Sequence, residues 1–487
     1  MSQFKQLSSS DTLFVAGEGG STYNHTAGLM LLDTRGLPDF DFDTFRSRVI
    51  ERLDLVPQFR WKLHELPLAL DLPYWIEDEN FNYRHHIRRI AVTAPGDLRA
   101  LSDIAGHLFS RQLERSKPLW EAWFIEGVAD GRCAVMLKLH HCMMDGQGAV
   151  KLLEILCGLS PDAAPAAVPE SIATARAGAR PNLGESSLRT YGHLLRLPAE
   201  IGRNALEILA PKLRRRMAGR KPAKAASAFE PHAMLNADIS GERGFVFGSL
   251  PLADILAVKT HYGATMNDVV LALAGGALRR YLLAQDALPH EALRCTIPVS
   301  LRTAEDDDFS NRVTNISVTL ATDTRDPVER LRAIARETAE AKGSARSGGK
   351  SVIDALQVMP PLLVGALARN VNPEMAANML GANLVVSNVR GCPVPVYLAG
   401  ARVETLYPMS VITAGMALNI TCVSYADKLD FGLTLDPDVI DHAWSLMDDM
   451  ERELAGYLSG LPRKPGSGKK SARRKKATKG TRARSRR

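Results

Sequence analysis

The sequence predicts an α/β chain of two lobes with a functional site between them. Three observations carry this. Each half alternates apolar runs of strand length with longer runs of helical period. The halves are separated by residues 159–235, where the composition shifts to Ala, Pro and Arg. Each half also has its own polar constellation, and paired lobes commonly hold a ligand in the crevice between them.

In the first half, residues 1–158, Phe45–Leu53 and Leu98–Leu113 have helical period. Cys133–Leu139 (CAVMLKL) is an apolar run of strand type. At its exit stands His140-His141-Cys142-Met143-Met144-Asp145-Gly146, and Ala149–Leu156 then resumes a helix with one apolar face. The connection 159–235 holds a helix over Leu197–Ala210 and a basic cluster of Lys212, Arg214, Arg215, Arg216, Arg220 and Lys221. It reads as part helical and part mobile.

In the second half, residues 236–461, Thr265–Asp268 opens a helix over Val269–Leu283. Strands are expected at Cys295–Leu301, Asn315–Thr322 and Leu384–Val389. Ala417–Tyr425 and Lys428–Leu435 flank Ala426-Asp427 as a hairpin. Residues 462–487 are low in complexity and expected to be disordered.

A chain of 487 residues, 45% hydrophobic and 24% charged, is long enough for two cores. Its net charge of +7 misleads, because residues 463–487 carry 13 of the 61 basic side chains and no acid. The remainder has 48 basic against 54 acidic residues and a net charge of −6. Six cysteines without pairing spacing point to reduced thiols in the cytoplasm. The first residues lack the apolar core of a signal peptide. No uncharged run approaches the ~20 residues of a membrane span. The nearest, Ala355–Ala368, is interrupted by Gln357 and Pro360-Pro361.

The histidine motif carries the chemistry. Adjacent strand residues face opposite sides, so His140 and His141 have different work and do not converge on one metal ion. There is no His-Glu-x-x-His and no paired Cys-x-x-Cys, and neither a metal nor a bound cofactor is expected. One histidine is read as a base and the other as structural. Asp145 has two structural alternatives, the N-cap of the next helix and the partner of a buried arginine. Gly146 lets the backbone turn, and Cys142 is the competing nucleophile.

Asn267 and Asp268 follow Thr265 as a capping box would, so capping and function are both open. Ser387-Asn388 ends a strand with turn-forming residues. Pro118 fixes the approach to a strand, and Trp120 either packs a core or lines a channel. Arg302 closes an apolar strand and needs a partner. His25, His85 and His86 read as surface or packing residues.

Leu7–Asp11 (LSSSD), Pro118-Leu119-Trp120, His140–Gly146, Asn267-Asp268, Pro298–Arg302 (PVSLR) and the hairpin Ser424–Asp436 occur in that order. With them the chain resembles the bacterial wax ester synthase/diacylglycerol acyltransferase family over nearly all its length except the tail. The histidine motif alone is shared with condensation domains of peptide synthetases. The resemblance implies a two-lobed, chloramphenicol-acetyltransferase-like fold of CoA-dependent acyltransferases, with an active-site channel between the lobes. It implies transfer of a long-chain fatty acyl group from acyl-CoA, a co-substrate, to diacylglycerol or a long-chain alcohol.

The resemblance further implies His141 as general base, His140 as its support, and Asp145 as the orienting residue, with Arg302 a candidate partner. It implies substrate contacts at Asn267, Asp268, Ser387 and Asn388, the last two at the oxyanion. Met144, Gln147, Arg390–Pro393 and Asn24–Gly28 depart from the family pattern and are expected to reshape the acceptor pocket. For lipid substrates, the basic tail favours a cytoplasmic enzyme held peripherally at a membrane or lipid-droplet surface. Nucleic-acid binding by the tail is the less favoured reading. Two other functions stay open. A condensation-type enzyme with a carrier-bound donor is disfavoured by the lack of a carrier domain. An inactive lipid-surface or nucleic-acid binding protein is disfavoured by the intact motif.

Overall fold

The computed structural model describes residues 4–163, 167–182, 184–193, 195, 196, 198, 199, 202, 203, 229–300, 309, 311, 313–346, 356, 357 and 359–462. The strands of the first half are β1 His25–Asp33, β2 Trp61–His64, β3 Tyr74–Glu77, β4 Ile87–Ala91, β5 Trp120–Val128, β6 Arg132–His140 and β7 Cys157–Gly158. Those of the second half are β8 Gly244–Pro251, β9 Arg294–Ser300, β10 Val313–Thr319 and β11 Leu384–Arg390. They continue with β12 Tyr397–Leu398, β13 Ala401–Met409, β14 Leu418–Tyr425 and β15 Lys428–Leu435.

The strands build two large mixed sheets. One has seven strands in the order β4-β5-β6-β1-β13-β12-β7, and the other six in the order β10-β9-β11-β14-β15-β8. β14 (LNITCVSY) and β15 (KLDFGLTL) are buried along nearly their whole length although their sequences alternate, and buried polar side chains on them find partners: Asp430 accepts from Ser249 and the Leu406 N–H, and Thr421 donates to Asn419. β13 alternates buried and less buried residues, as a strand with one covered face does. The helix Met266–Ala284 fills the core beneath the second sheet and is buried from Asp268 to Leu278. The helices Pro361–Asn370 and Pro373–Leu380 lie near the gap between the sheets and contribute to the cavity described below.

The two sheets are not divided at one chain boundary. Sequence reading assigned residues 236–461 to a single lobe, but β12 and β13 leave the second sheet and join the first. There β13 runs antiparallel to β1, with Ala27 opposite Met409. The physical reason is the second edge of β1. β6 satisfies one side of that strand, and without β13 the other would expose an unpaired ladder. The expected helix over Leu197–Ala210 lies mostly outside the described residues, as do the basic cluster Lys212–Lys221 and the tail from Arg463. Among the described residues, no helix is long and apolar enough to cross a membrane.

Candidate active site between the two sheets

β6 delivers the histidine motif to the gap between the sheets. His140, its last residue, pairs with His25 of β1 and its side chain is buried. His140 Nδ1 accepts the Cys142 N–H at 3.2 Å, and its Nε2 lies 3.7 Å from Glu18 Oε2. Arg115 donates to the same carboxylate through two nitrogens, at 3.1 and 2.9 Å. Burial works against the charged Glu18, yet His140 and Arg115 hold its pKa down at about 2. His140 thus faces the Glu18–Arg115 ion pair, whose carboxylate is buried and whose guanidinium is partly exposed, and braces the turn.

His141 has the opposite environment. Its N–H donates to the Asn24 carbonyl at 2.8 Å, and its own carbonyl accepts from Asn311 Nδ2 at 2.7 Å. The imidazole stacks on Phe14 with centroids 4.1 Å apart and an interplanar angle of 11°. Asn24 Nδ2 donates to the Phe14 carbonyl at 2.7 Å, so one asparagine braces both rings. Nδ1 of His141 is fully buried, while the ring lines a large cavity. Burial pushes the His141 pKa down to about 4, helped by His140 and opposed by Asp145 and Asn311. At neutral pH the ring is therefore uncharged and has a lone pair to accept a proton.

Asp145 is buried and caps the helix Gly146–Leu156, its Oδ1 accepting the Gly148 N–H at 2.8 Å. Gly146 follows because the backbone runs close to β11, and a Cβ there would stand 3.1 Å from Val389 Cγ2. Arg302, the expected partner of Asp145, lies outside the described residues.

The cavity holds about 660 Å³, inside the roughly 300–1,000 Å³ range of small-molecule sites. Aliphatic walls come from both sheets and from the helices near the gap, among them Met30, Leu137, Leu153, Leu367 and Leu406. Polar residues on its lining include His141, Asp145, Ser387 and Asn388, although the Asn388 side chain leaves β11 on the face opposite that of Ser387, its Oδ1 accepting from Cys422 Sγ at 3.6 Å.

The other expected residues are distributed unevenly. Thr265 and Asp268 form a reciprocal capping box, with bonds of 2.8 and 3.2 Å, and neither Asn267 nor Asp268 lines the cavity. The placement fits capping and lends nothing to the expected substrate contact. Trp120 is fully buried, donates its indole N–H to the Phe59 carbonyl at 2.8 Å and stacks on His86. It packs the first core rather than lining the channel, and Pro118 accepts the Trp120 N–H just before the strand. Met144 is buried in that same core and does not reach the cavity, so its expected effect on the acceptor pocket is corrected. Gln147 does line it. The Cys142 thiol is buried among Leu7, Val15, Leu113 and Leu119, and burial pushes its pKa well up. It has neither the access nor the thiolate character of a nucleophile.

Sequence reasoning missed Phe14 and Asn311; it named Asn24 among the departures from the family pattern and Asp11 within the LSSSD motif but gave neither a role beside the base. A local signal existed only for Asp11, since Ser8-x-x-Asp11 is a cap signature, and Ser8 Oγ does accept the Asp11 N–H at 3.0 Å.

Comparison with known proteins agrees with this geometry. Residues 7–270 match the wax ester synthase/diacylglycerol acyltransferase catalytic domain, and residues 309–457 match the WS/DGAT C-terminal domain. A Mycobacterium tuberculosis protein named as a diacylglycerol O-acyltransferase is 33% identical over 458 residues, covering 93% of this chain and 90% of its own. The O-acyltransferase WSD of Acinetobacter baylyi is 32% identical over 453 residues, 91% of this chain and 95% of that one. The solved wax ester synthase/diacylglycerol acyltransferase from Marinobacter aquaeolei superposes with a TM-score of 0.69 at 29% identity, covering 94% of this chain and 100% of that chain.

Proposed function

The chain belongs to the wax ester synthase/diacylglycerol acyltransferase family and is an O-acyltransferase of the two-lobed CoA-dependent fold; from that premise we propose that it transfers a long-chain acyl group from acyl-CoA to diacylglycerol or a long-chain alcohol, with His141 as general base. The observation that carries this reading is the His141 imidazole, held against Phe14 on the wall of a largely aliphatic cavity between two sheets.

The acceptor hydroxyl is a poor nucleophile until its proton can leave. His141 takes that proton as the oxygen attacks the thioester carbonyl, a contribution of roughly 10²–10⁴ in rate. The resulting tetrahedral oxyanion needs hydrogen-bond donors, and the Ser387 hydroxyl is the donor we assign to it, Ser387 being on the cavity lining, whereas the Asn388 side chain leaves β11 on the other face and accepts from Cys422 Sγ. Collapse breaks the carbon–sulfur bond, and the imidazolium returns the proton to the departing CoA thiolate. No enzyme nucleophile enters the scheme, in keeping with the buried Cys142. Asp145 orients the turn that carries the base. The acceptors are lipids, and the 13 basic side chains of residues 463–487 suit an anionic lipid surface.

The test offers palmitoyl-CoA with diacylglycerol and with hexadecanol separately, measuring thiol release and identifying the lipid. Thiol matched by triacylglycerol or wax ester is expected. Absence of ester from both acceptors, in folded protein, overturns the reading.

The pH dependence follows from the depressed His141 pKa. The folded protein keeps this ring neutral down to about pH 4, whereas an unfolded chain protonates it near 6.5. His140 and Asp145 are the titratable neighbours that act on it. The acid limb of kcat/KM is expected below pH 6, and a limb at 6.5 or above would contradict this environment. Linkage has the same sign. The unfolded chain binds the proton first, so the His141 contribution to stability is complete above pH 6.5. It is lost as pH falls toward about 4.

A further inference from the structure

We infer that Asn311 is a positioning residue for His141, its side-chain amide arriving from the second sheet to fix the base, with Asp11 holding that amide in place. The inference rests on His141 being the base.

Asn311 stands just ahead of β10, on the second sheet, whereas Asp11 and His141 belong to the first half of the chain. Asn311 Nδ2 donates to Asp11 Oδ1 at 2.5 Å and to the His141 carbonyl at 2.7 Å. Both partners are acceptors, so they fix which end of the amide is the NH2 group. Asp11 is itself buried and held, its Oδ2 accepting from Ser8 Oγ at 2.6 Å. Asn311 lines the same cavity as His141. The base is thus held by Asn24 at its N–H, Phe14 at its ring face and Asn311 at its carbonyl. Only the last hold crosses between the sheets. A carboxylate at position 311 accepts hydrogen bonds but donates none, so it would lose both contacts and face Asp11 with like charge.

Two roles are separable. If the contact only clamps the halves, any good pair between positions 11 and 311 suffices. If it positions the base, the His141 carbonyl must have its donor. Three variants decide this: Asn311→Asp, Asn311→Ala, and the exchange Asp11→Asn with Asn311→Asp. In the exchange, the new amide at position 11 can donate to the new carboxylate, restoring the clamp with no change in net charge, while the His141 carbonyl stays without its donor. The readouts are kcat, KM for palmitoyl-CoA and melting temperature.

Asn311→Asp is expected to lower kcat by about 10²-fold, the scale of a displacement near 1 Å, with KM changed less than about threefold. Asn311→Ala, which adds no charge, is expected to show the same kcat loss and serves if the aspartate variant does not fold. The exchange is expected to recover melting temperature but not kcat. Wild-type kcat in Asn311→Ala, or kcat restored by the exchange, overturns the inference. Wild-type ester formation that survives His141→Ala would instead overturn the base assignment beneath it.

Discussion

Replacing His141 by alanine is expected to lower kcat by about 10²–10⁴-fold while leaving the melting temperature near that of the wild type. The small cost in stability follows from what the ring touches. It stacks on Phe14 and borders an open cavity, and the backbone bonds to Asn24 and Asn311 do not depend on the side chain. KM for the acyl donor should hold, because a base that acts as the acceptor attacks stabilises the transition state and not the bound donor. His140→Ala is the informative contrast. Its ring is buried, accepts the Cys142 N–H and faces Glu18 beside Arg115. Its removal leaves a buried carboxylate short of one partner, so stability falls together with activity. Circular dichroism melts and thiol-release rates on the two variants separate the roles. Wild-type rate in folded His141→Ala would refute the base, and a stable, inactive His140→Ala would exchange the two assignments.

The opposite environments of these histidines were legible because they follow from strand geometry. Neighbouring residues leave a strand on opposite sides, and one side here meets the Glu18 carboxylate while the other meets the cavity. The caps were legible for a similar reason. Thr265-x-x-Asp268 and Asp145-x-x-Gly148 are encoded within one helical turn, so both appear where the sequence placed them. What stayed hidden depends on contacts across the chain. Asn311 meets Asp11 over a separation of 300 residues, and the cap signature that marks Asp11 does not point to that partner. β13 was missed because its partner β1 lies in the other half of the chain. Trp120 and Met144 could not be assigned to core or cavity before the packing was known, since an apolar side chain suits either. The reading of Asn267 and Asp268 was ambiguous from the start, and the cavity lies elsewhere.

Gly432→Ala is expected to destabilise the protein by about 1–3 kcal/mol, the usual cost of overpacking, and to lower transfer activity. The sign is what makes the test sharp. A strand glycine ordinarily costs stability, and alanine improves it by roughly 0.5–1 kcal/mol. Gly432 sits within β15, between Thr421 of β14 and Phe247 of β8. There β13, on its way into the first sheet, passes so close that a Cβ on residue 432 would overlap the Pro408 carbonyl and stand 3.0 Å from Phe245 Cε2. A backbone carbonyl cannot swing aside as a side-chain tip can, so the strands must separate. Close approach of another backbone is one of the few reasons for glycine inside a strand. Pro408, with Leu406 and Met409 beside it, is also a wall of the cavity, so the spacing of the sheets and the width of the cavity are set at one contact. Gly456→Ala supplies the control. That glycine lies in the exposed face of the helix Trp444–Ser459 with open space where its Cβ would be, and alanine there should stabilise by about 1 kcal/mol. Urea midpoints and kcat on both variants decide the matter. A Gly432→Ala protein as stable and active as the wild type would mean that the crossing of β13 over β15 does not govern the site.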